Sequence, residues 1–238
     1  MSFYRYILVE SIDELLKKLK EGKINVKEAR TIQRFIAKNL IKKDPENVRI
    51  VAGLDSAYLG DKMITAISFY EVNERKVLHE EYSIDEVKFP YIPTLLFLRE
   101  GPQMVNLAKK ASMKADVYLV DGHGEAHPYR AGLACFVGFM LDLPTIGVAK
   151  SRLFGKIEWF DDEGILKDGD EEIAIVIKVC NRKYFVSVGQ RITLKGAFNI
   201  FKKTIEGCIS VPLERAHILA NTIRSKYENK NSDPSSFR

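Results

Sequence analysis

Cysteine is scarce in this chain: Cys135, Cys180 and Cys208 are odd in number, far apart and without a Cys-x-x-Cys pair. That spacing indicates neither a disulfide framework nor a thiolate zinc site, and a reducing cytoplasm is the expected compartment. Long apolar runs are missing as well, so no segment is expected to span a bilayer, and Met1-Ser2-Phe3-Tyr4-Arg5 begins no apolar signal region. No interior stretch of proline, glycine or serine marks a linker, and neither a repeat nor a low-complexity block is visible. The 238 residues, 46% of them hydrophobic, can bury one sizeable core and are read as a single domain. Charge of one sign is not in large excess, and a formal net charge of +5 favours a polyanionic partner only mildly. A soluble monomer with no membrane partner is expected.

What is present is concentrated at the ends of apolar runs. Val117-Tyr118-Leu119-Val120 reads as a buried strand, and it delivers Asp121 into Gly122-His123-Gly124-Glu125-Ala126-His127-Pro128. The two glycines let the backbone turn and approach a ligand, and Pro128 suits the first turn of a helix over Tyr129 to Leu141. Asp55 closes Ile50-Val51-Ala52-Gly53-Leu54 in the same way, and Glu100 follows Leu95-Leu96-Phe97-Leu98-Arg99. If Asp55 and Asp121 lie on neighbouring strands, their like charges call for a cation, and oxygen-only ligation suits magnesium or manganese. Such an ion commonly bridges carboxylates to phosphate, so a phosphodiester substrate is expected. Lys150, after Thr145-Ile146-Gly147-Val148-Ala149, adds positive charge where the transition state gathers negative charge.

The remaining pattern alternates helix and strand. Ser11-Ile12-Asp13-Glu14 and Asn25-Val26-Lys27-Glu28 both look like capping boxes, opening one helix through Leu19 and another through about Leu40. Strands are expected over Val48 to Asp55, Met63 to Val72 and Lys76 to Ser83, followed by a helix from Pro93 to Lys110. After the strand through Val148, a hairpin is expected from Ile173 to Val179 and Tyr184 to Val188, with helices at Leu194 to Glu206 and Leu213 to Tyr227. This predicts an α/β fold, a ribonuclease H-like mixed sheet over residues 47–227 flanked by helices, with an N-terminal helical extension over 1–46 and a polar, fraying tail over 228–238.

These residues together resemble the endonuclease V family, nucleases of deaminated purines. The resemblance runs from about Val51 to Ile223 and is carried by Gly53-Leu54-Asp55, Phe89-Pro90-Tyr91-Ile92-Pro93, Phe97-Leu98-Arg99-Glu100-Gly101-Pro102, Asp121-Gly122-His123-Gly124, Ala126-His127-Pro128 and Pro144-Thr145-Ile146-Gly147-Val148-Ala149-Lys150-Ser151. It implies that Asp55 and Asp121 are metal ligands, that Glu100 is the third acid, and that His127 and Lys150 lie near the scissile phosphate. It implies that Tyr91, braced by Pro90, Ile92 and Pro93, is a wedge filling the gap left by a flipped nucleotide, with Gly122, Gly124 and Leu96 around the base pocket. The implied cofactor is Mg2+, with Mn2+ as a substitute. The implied reaction is hydrolysis of the second phosphodiester 3′ to deoxyinosine or inosine, leaving 3′-hydroxyl and 5′-phosphate ends, as in DNA repair.

Two departures stand out. Thr94 replaces the family's usual glycine beside the presumed pocket and is expected to narrow the lesion range toward hypoxanthine. Ser187-Val188-Gly189-Gln190 replaces a frequent Ser-Pro-Gly-His. His123, between two glycines, is left outside the core set, and His217 is a secondary candidate that matches a recurrent family histidine. Other readings are an inosine-RNA ribonuclease, a structure-specific nuclease, a non-catalytic nucleic-acid binder and a zinc hydrolase on His123 and His127. The last is disfavoured because Gly124 and Pro128 oppose the helix that such a pair requires.

Overall fold

In the computed structural model, which describes residues 3–231, α1 (Phe3–Lys20) begins well before Ser11. The expected capping box at Ser11 therefore lies inside a helix, whose buried stripe over the described side chains is Ile12, Leu15 and Leu19. Asn25 does cap α2 (Val26–Lys38). Its side chain accepts from the Glu28 N–H, and Glu28 accepts from the Asn25 N–H, both at 3.0 Å.

A meander follows, β1 (Ile50–Leu59), β2 (Lys62–Glu71) and β3 (Lys76–Glu86), antiparallel throughout. α3 (Leu96–Lys110), β4 (Val117–Asp121), α4 (Leu133–Leu141) and β5 (Thr145–Ala149) then place β4 parallel to both β1 and β5. β6 (Lys156–Phe160), β7 (Glu163–Asp168), β8 (Glu171–Val179) and β9 (Arg182–Gln190) extend the sheet, and β9 pairs antiparallel with β5. The chain continues through α5 (Leu194–Lys203), the small pair β10 (Ile205–Glu206) and β11 (Ile209–Ser210), and α6 (Val211–Asn231). The large sheet has nine strands in the order β3-β2-β1-β4-β5-β9-β8-β7-β6, and its first five match the expected ribonuclease H-like core.

Strand periodicity assigns the two faces. Ala52, Leu54, Tyr118 and Val120 face α1 to α4, whereas Val51, Val117 and Leu119 face Phe198 and Phe201 of α5 and Leu213 of α6. Gly53 permits the second layer to settle: a Cβ there would lie 2.3 Å from the Pro212 carbonyl oxygen, so only glycine lets α6 rest on β1.

Two expectations are corrected here, and one hairpin was not anticipated. The helix expected from Tyr129 starts at Leu133, with Gly132 as its N-cap. Pro128 is not in its first turn, because residues 122–132 form a loop closed by the Gly132 N–H to Gly124 carbonyl bond at 2.9 Å and the Arg130 N–H to His127 carbonyl bond at 2.8 Å. The β6–β7 hairpin went unread because β6 is an edge strand with mostly exposed side chains and so little apolar alternation. At the C-terminal end α6 continues to Asn231, so Glu228 to Asn231 are helical, and the rest of the expected tail lies outside the described residues.

The cysteine reading is also overturned. Cys180, in the β8–β9 turn, is bonded to Cys208, between β10 and β11, with Cα atoms 5.5 Å apart across a sequence separation of 28. The fold brings two turns together that the spacing leaves unrelated; Cys135 alone is free and is buried. Reducing the bond, or Cys208→Ser, is expected to destabilise the chain by about 3 kcal/mol through the loop it closes. Melting with and without reductant checks this, and an unchanged midpoint would show that the bond contributes nothing. Among the described residues no helix is long and apolar enough to cross a membrane.

Candidate active site

Leu54 of β1 pairs with Val120 of β4, so Asp55 and Asp121 are the next residues on two parallel neighbours. Asp121 ends its strand as expected. Asp55 does not: β1 runs on to Leu59 against β2, and Asp55 stands where β4 has stopped alongside it. Its Oδ2 lies 2.7 Å from His217 Nδ1, and its Oδ1 accepts from the Ser56 N–H at 2.7 Å. Burial and the neighbouring Asp121 raise its pKa, against the pull of His217. Asp121 Oδ2 accepts from Lys150 Nζ at 2.5 Å.

Glu100 arrives from the opposite layer. α3 does not end at Gly101-Pro102 but continues through them, leaving Glu100 buried within the helix. Its Oε1 accepts from the Tyr58 hydroxyl at 2.5 Å, and the Arg99 guanidinium covers the Tyr58 ring at 4.2 Å. Burial pushes the Glu100 carboxyl up to about 7; the Tyr58 hydroxyl opposes this, and Asp55 and Asp121 add to it. Three carboxylates in mutual repulsion form a donor set suited to a hard cation. In their present rotamers, however, no three His, Cys, Asp or Glu side chains among the described residues surround a common point. Lys150 and His217 draw two of the acids to themselves.

A cavity of about 360 Å³ opens beside Asp121 and Lys150. Thr94, Leu96, Phe97, Gly122, His123 and His127 are among the residues that line it. Tyr91 stands at it with 63% of its surface exposed, too much for a core role. Gly122, which lines it, has φ of 155°. Gly124, expected around the pocket, does not line it: it packs against β9, where a Cβ would lie 2.1 Å from the Val188 carbonyl oxygen. Pro90, Ile92 and Pro93 belong to the Tyr91 loop without lining the cavity. A second cavity of about 260 Å³, between α1, α3 and α4, includes Leu16, Leu19 and Phe136 but none of the three acids.

A chain with this sheet, these acids and this cavity can be placed among known proteins. The Endonuclease V family model matches residues 33–218. The chain belongs to the endonuclease V family. An endonuclease V of Thermofilum pendens is 36% identical over 203 residues, 82% of this chain and 88% of that protein. The crystal structure of the Streptomyces avermitilis endonuclease V superposes with a TM-score of 0.80 at 28% identity, covering 86% of this chain and 95% of that one. A Ciona intestinalis endonuclease V, in complex with a 24mer DNA containing an inosine followed by a ribo-adenosine, shares the fold at a TM-score of 0.71 and 23% identity, over 82% and 95% of the two chains.

Within this endonuclease V fold, His127 is not joined to the acids. Its Nδ1 accepts from the Tyr129 N–H at 3.1 Å, which puts the ring proton on Nε2, toward the Thr94 backbone. Burial, then the His123 and Arg30 charges, lower its pKa to about 4, so the ring is neutral. Burial likewise lowers His123 to about 4, and its Nδ1 has no hydrogen-bond partner. With His127 committed on both sides, a zinc site on this pair loses a ligand. Gln190 is buried and does not line the cavity; its Oε1 accepts from the Ile41 N–H at 2.7 Å, so that departure serves the joint after α2. Ser187 Oγ accepts from the Gly124 N–H at 2.9 Å and ties the loop after β4 to β9.

Sequence reasoning missed Tyr58, Gln33, Arg152 and Leu153. The last three line the cavity, and Leu153 is an exposed apolar side chain in the loop between β5 and β6, where no period marks it. Tyr58 carries a testable consequence. Tyr58→Phe removes the donor that holds the Glu100 pKa down, so that pKa should rise and the acid limb of the pH–rate profile should move to higher pH, with activity near neutrality falling about tenfold. An acid limb that stays in place would show that Glu100 does not need this hydroxyl.

Proposed function

We propose that the protein is a divalent-metal-dependent endonuclease that recognises a deaminated purine, deoxyinosine or inosine, and hydrolyses the second phosphodiester bond on its 3′ side, giving 3′-hydroxyl and 5′-phosphate ends. The observation that carries the reading is the pair Asp55 and Asp121, next to each other on adjacent parallel strands, with a cavity of about 360 Å³ opening beside Asp121 and Lys150. A pocket of this size and shape suits a flat base taken out of its stack. Membership of the family supports the nuclease chemistry, and the inosine-containing DNA bound by the Ciona relative supports the substrate.

Asp55, Asp121 and Glu100 would hold the metal, for which Mg2+ fits the oxygen-only donor set and Mn2+ is the natural substitute. A divalent cation supplies Lewis acidity and a water ionised at neutral pH. Lys150, half-exposed beside Asp121, is placed to offset charge on a non-bridging phosphate oxygen. His217 holds one Asp55 oxygen and so limits its rotation. His127 keeps the cavity walls in place as a neutral ring, and Tyr91 is free to enter the duplex when the base leaves. Flipping costs less at a mispaired base, which adds to selectivity.

The test is cleavage of matched DNA and RNA oligonucleotides, each with a single inosine or adenosine, in magnesium, manganese and chelator. End-labelled products should map to the second 3′ phosphodiester of the inosine strands only, and chelator should stop the reaction. Equal cutting of the adenosine controls, or full activity in chelator, would sink the proposal.

A further inference from the structure

Thr94 has φ of +66°, a left-handed conformation in which a β-branched residue is strained and glycine is not. It also lines the cavity. Such strain persists only where surrounding contacts over-determine it. Here they come from α2, more than sixty residues earlier in the chain. Arg30 Nη2 donates to Thr94 Oγ1 at 2.6 Å and Nη1 to the Thr94 carbonyl at 3.2 Å. Arg30 Nη1 also donates to Gln33 Oε1 at 2.7 Å. The fully buried Gln33 in turn gives Nε2 to the Thr94 carbonyl at 3.2 Å and to the Ala131 carbonyl at 2.6 Å. The Thr94 hydroxyl donates to the Pro93 carbonyl at 2.5 Å, so its single donor is spent within the protein and not on a base. Arg30 lies 4.0 Å over the Tyr129 ring, and among the described residues it forms no ion pair with a carboxylate. Its fork is directed at neutral groups around one strained residue, an arrangement suited to holding geometry.

We propose that Arg30 is a positioning residue for lesion recognition: seated on Tyr129, it clamps Thr94 in the left-handed conformation and so fixes the cavity wall and the adjoining Tyr91 loop. The inference rests on the reading of this cavity as the base pocket. It makes α2 part of the recognition apparatus, and it assigns the side chain at position 94 a cost that Arg30 offsets. A glycine at that position needs no clamp, since it adopts the same φ without strain.

A double-mutant cycle decides it. In the native background, Arg30→Ala should raise KM for an inosine duplex about tenfold and lower the preference for inosine over adenosine, with the loss falling on KM more than on kcat. In a Thr94→Gly background the same substitution should change KM by less than about twofold. Thr94→Val, which keeps the strained shape but loses the hydroxyl, should resemble Arg30→Ala. Arg30→Gln serves as the second variant if the alanine protein does not fold. Equal losses in both backgrounds, or retention of native KM by Arg30→Lys together with loss in Arg30→Gln, would show that Arg30 acts as a charge on the nucleic acid and would overturn the clamp. If the native protein cuts inosine and adenosine duplexes alike, the functional reading is what fails. The clamp is then judged on melting temperature, where a smaller Arg30→Ala loss in the glycine background supports it and equal losses overturn it.

Discussion

Asp55→Asn is expected to reduce nicking of an inosine duplex about a thousandfold or more while raising the melting temperature of the protein in chelator. Loss of a supporting group behind a metal ligand alone costs about 10–100-fold, so loss of a ligand costs more. The stability change has the opposite sign for a stated reason. Burial and Asp121 raise the Asp55 pKa in the folded state, so its proton is held more tightly there than in the unfolded chain. Stability is therefore lost as pH rises from the unfolded value through the raised folded one, and at neutral pH the ionised carboxylate is a net cost. An uncharged amide of the same shape removes that cost, and a gain of ~1 kcal/mol appears as about 2–4 °C in a chain of this size. Adding magnesium or manganese should stabilise the native protein and leave the asparagine variant almost unmoved. Native-like nicking by the variant would remove Asp55 from the metal site; a lower melting temperature in chelator would show that its bond to His217 outweighs the repulsion.

Tyr91→Ala is expected to raise KM for an inosine duplex about tenfold or more, with a much smaller effect on a single strand carrying the same lesion. Stacking of an aromatic ring on a base contributes about 1–3 kcal/mol, and this ring, 63% exposed at the cavity, makes no compensating core contact. On a duplex it would fill the gap the flipped base leaves; a single strand has no such gap. Metal affinity should not change, because Tyr91 touches none of the three acids. Parallel losses on the two substrates would argue that the ring simply supports its loop, and Tyr91→Phe, which keeps the flat ring, should retain most of the native preference.

The identities of the acids and the order of the core strands were legible because both follow from local pattern. Apolar runs of strand length ended at Asp121 and passed Asp55, and the alternation of helix and strand indicated a parallel neighbour for β1. Local pattern misplaced elements wherever several hydrogen-bonding solutions competed. Ser11 sits in a helix that started earlier, and the Gly124–Gly132 loop delays α4 to Leu133. It was silent on the β6–β7 hairpin, whose outer strand β6 buries too little for periodicity to show.

The sequence by itself determined which residue types could do chemistry here: carboxylates behind buried strands, glycines to admit a ligand, a lysine and a Pro-braced tyrosine beside them. The tertiary structure decided what each is tied to. Glu100 meets Tyr58 across 42 residues, Thr94 meets Arg30 across 64, and Asp55 meets His217 across 162. Cys180 is joined to Cys208 over a separation of 28 by the same folding of distant turns onto one side of the sheet. Periodicity reports the face a residue turns to its own element's neighbours, whereas these partnerships arise from how two layers of helices close over a central sheet. That closure sets the desolvation and charge that raise the pKa values of Glu100 and Asp55.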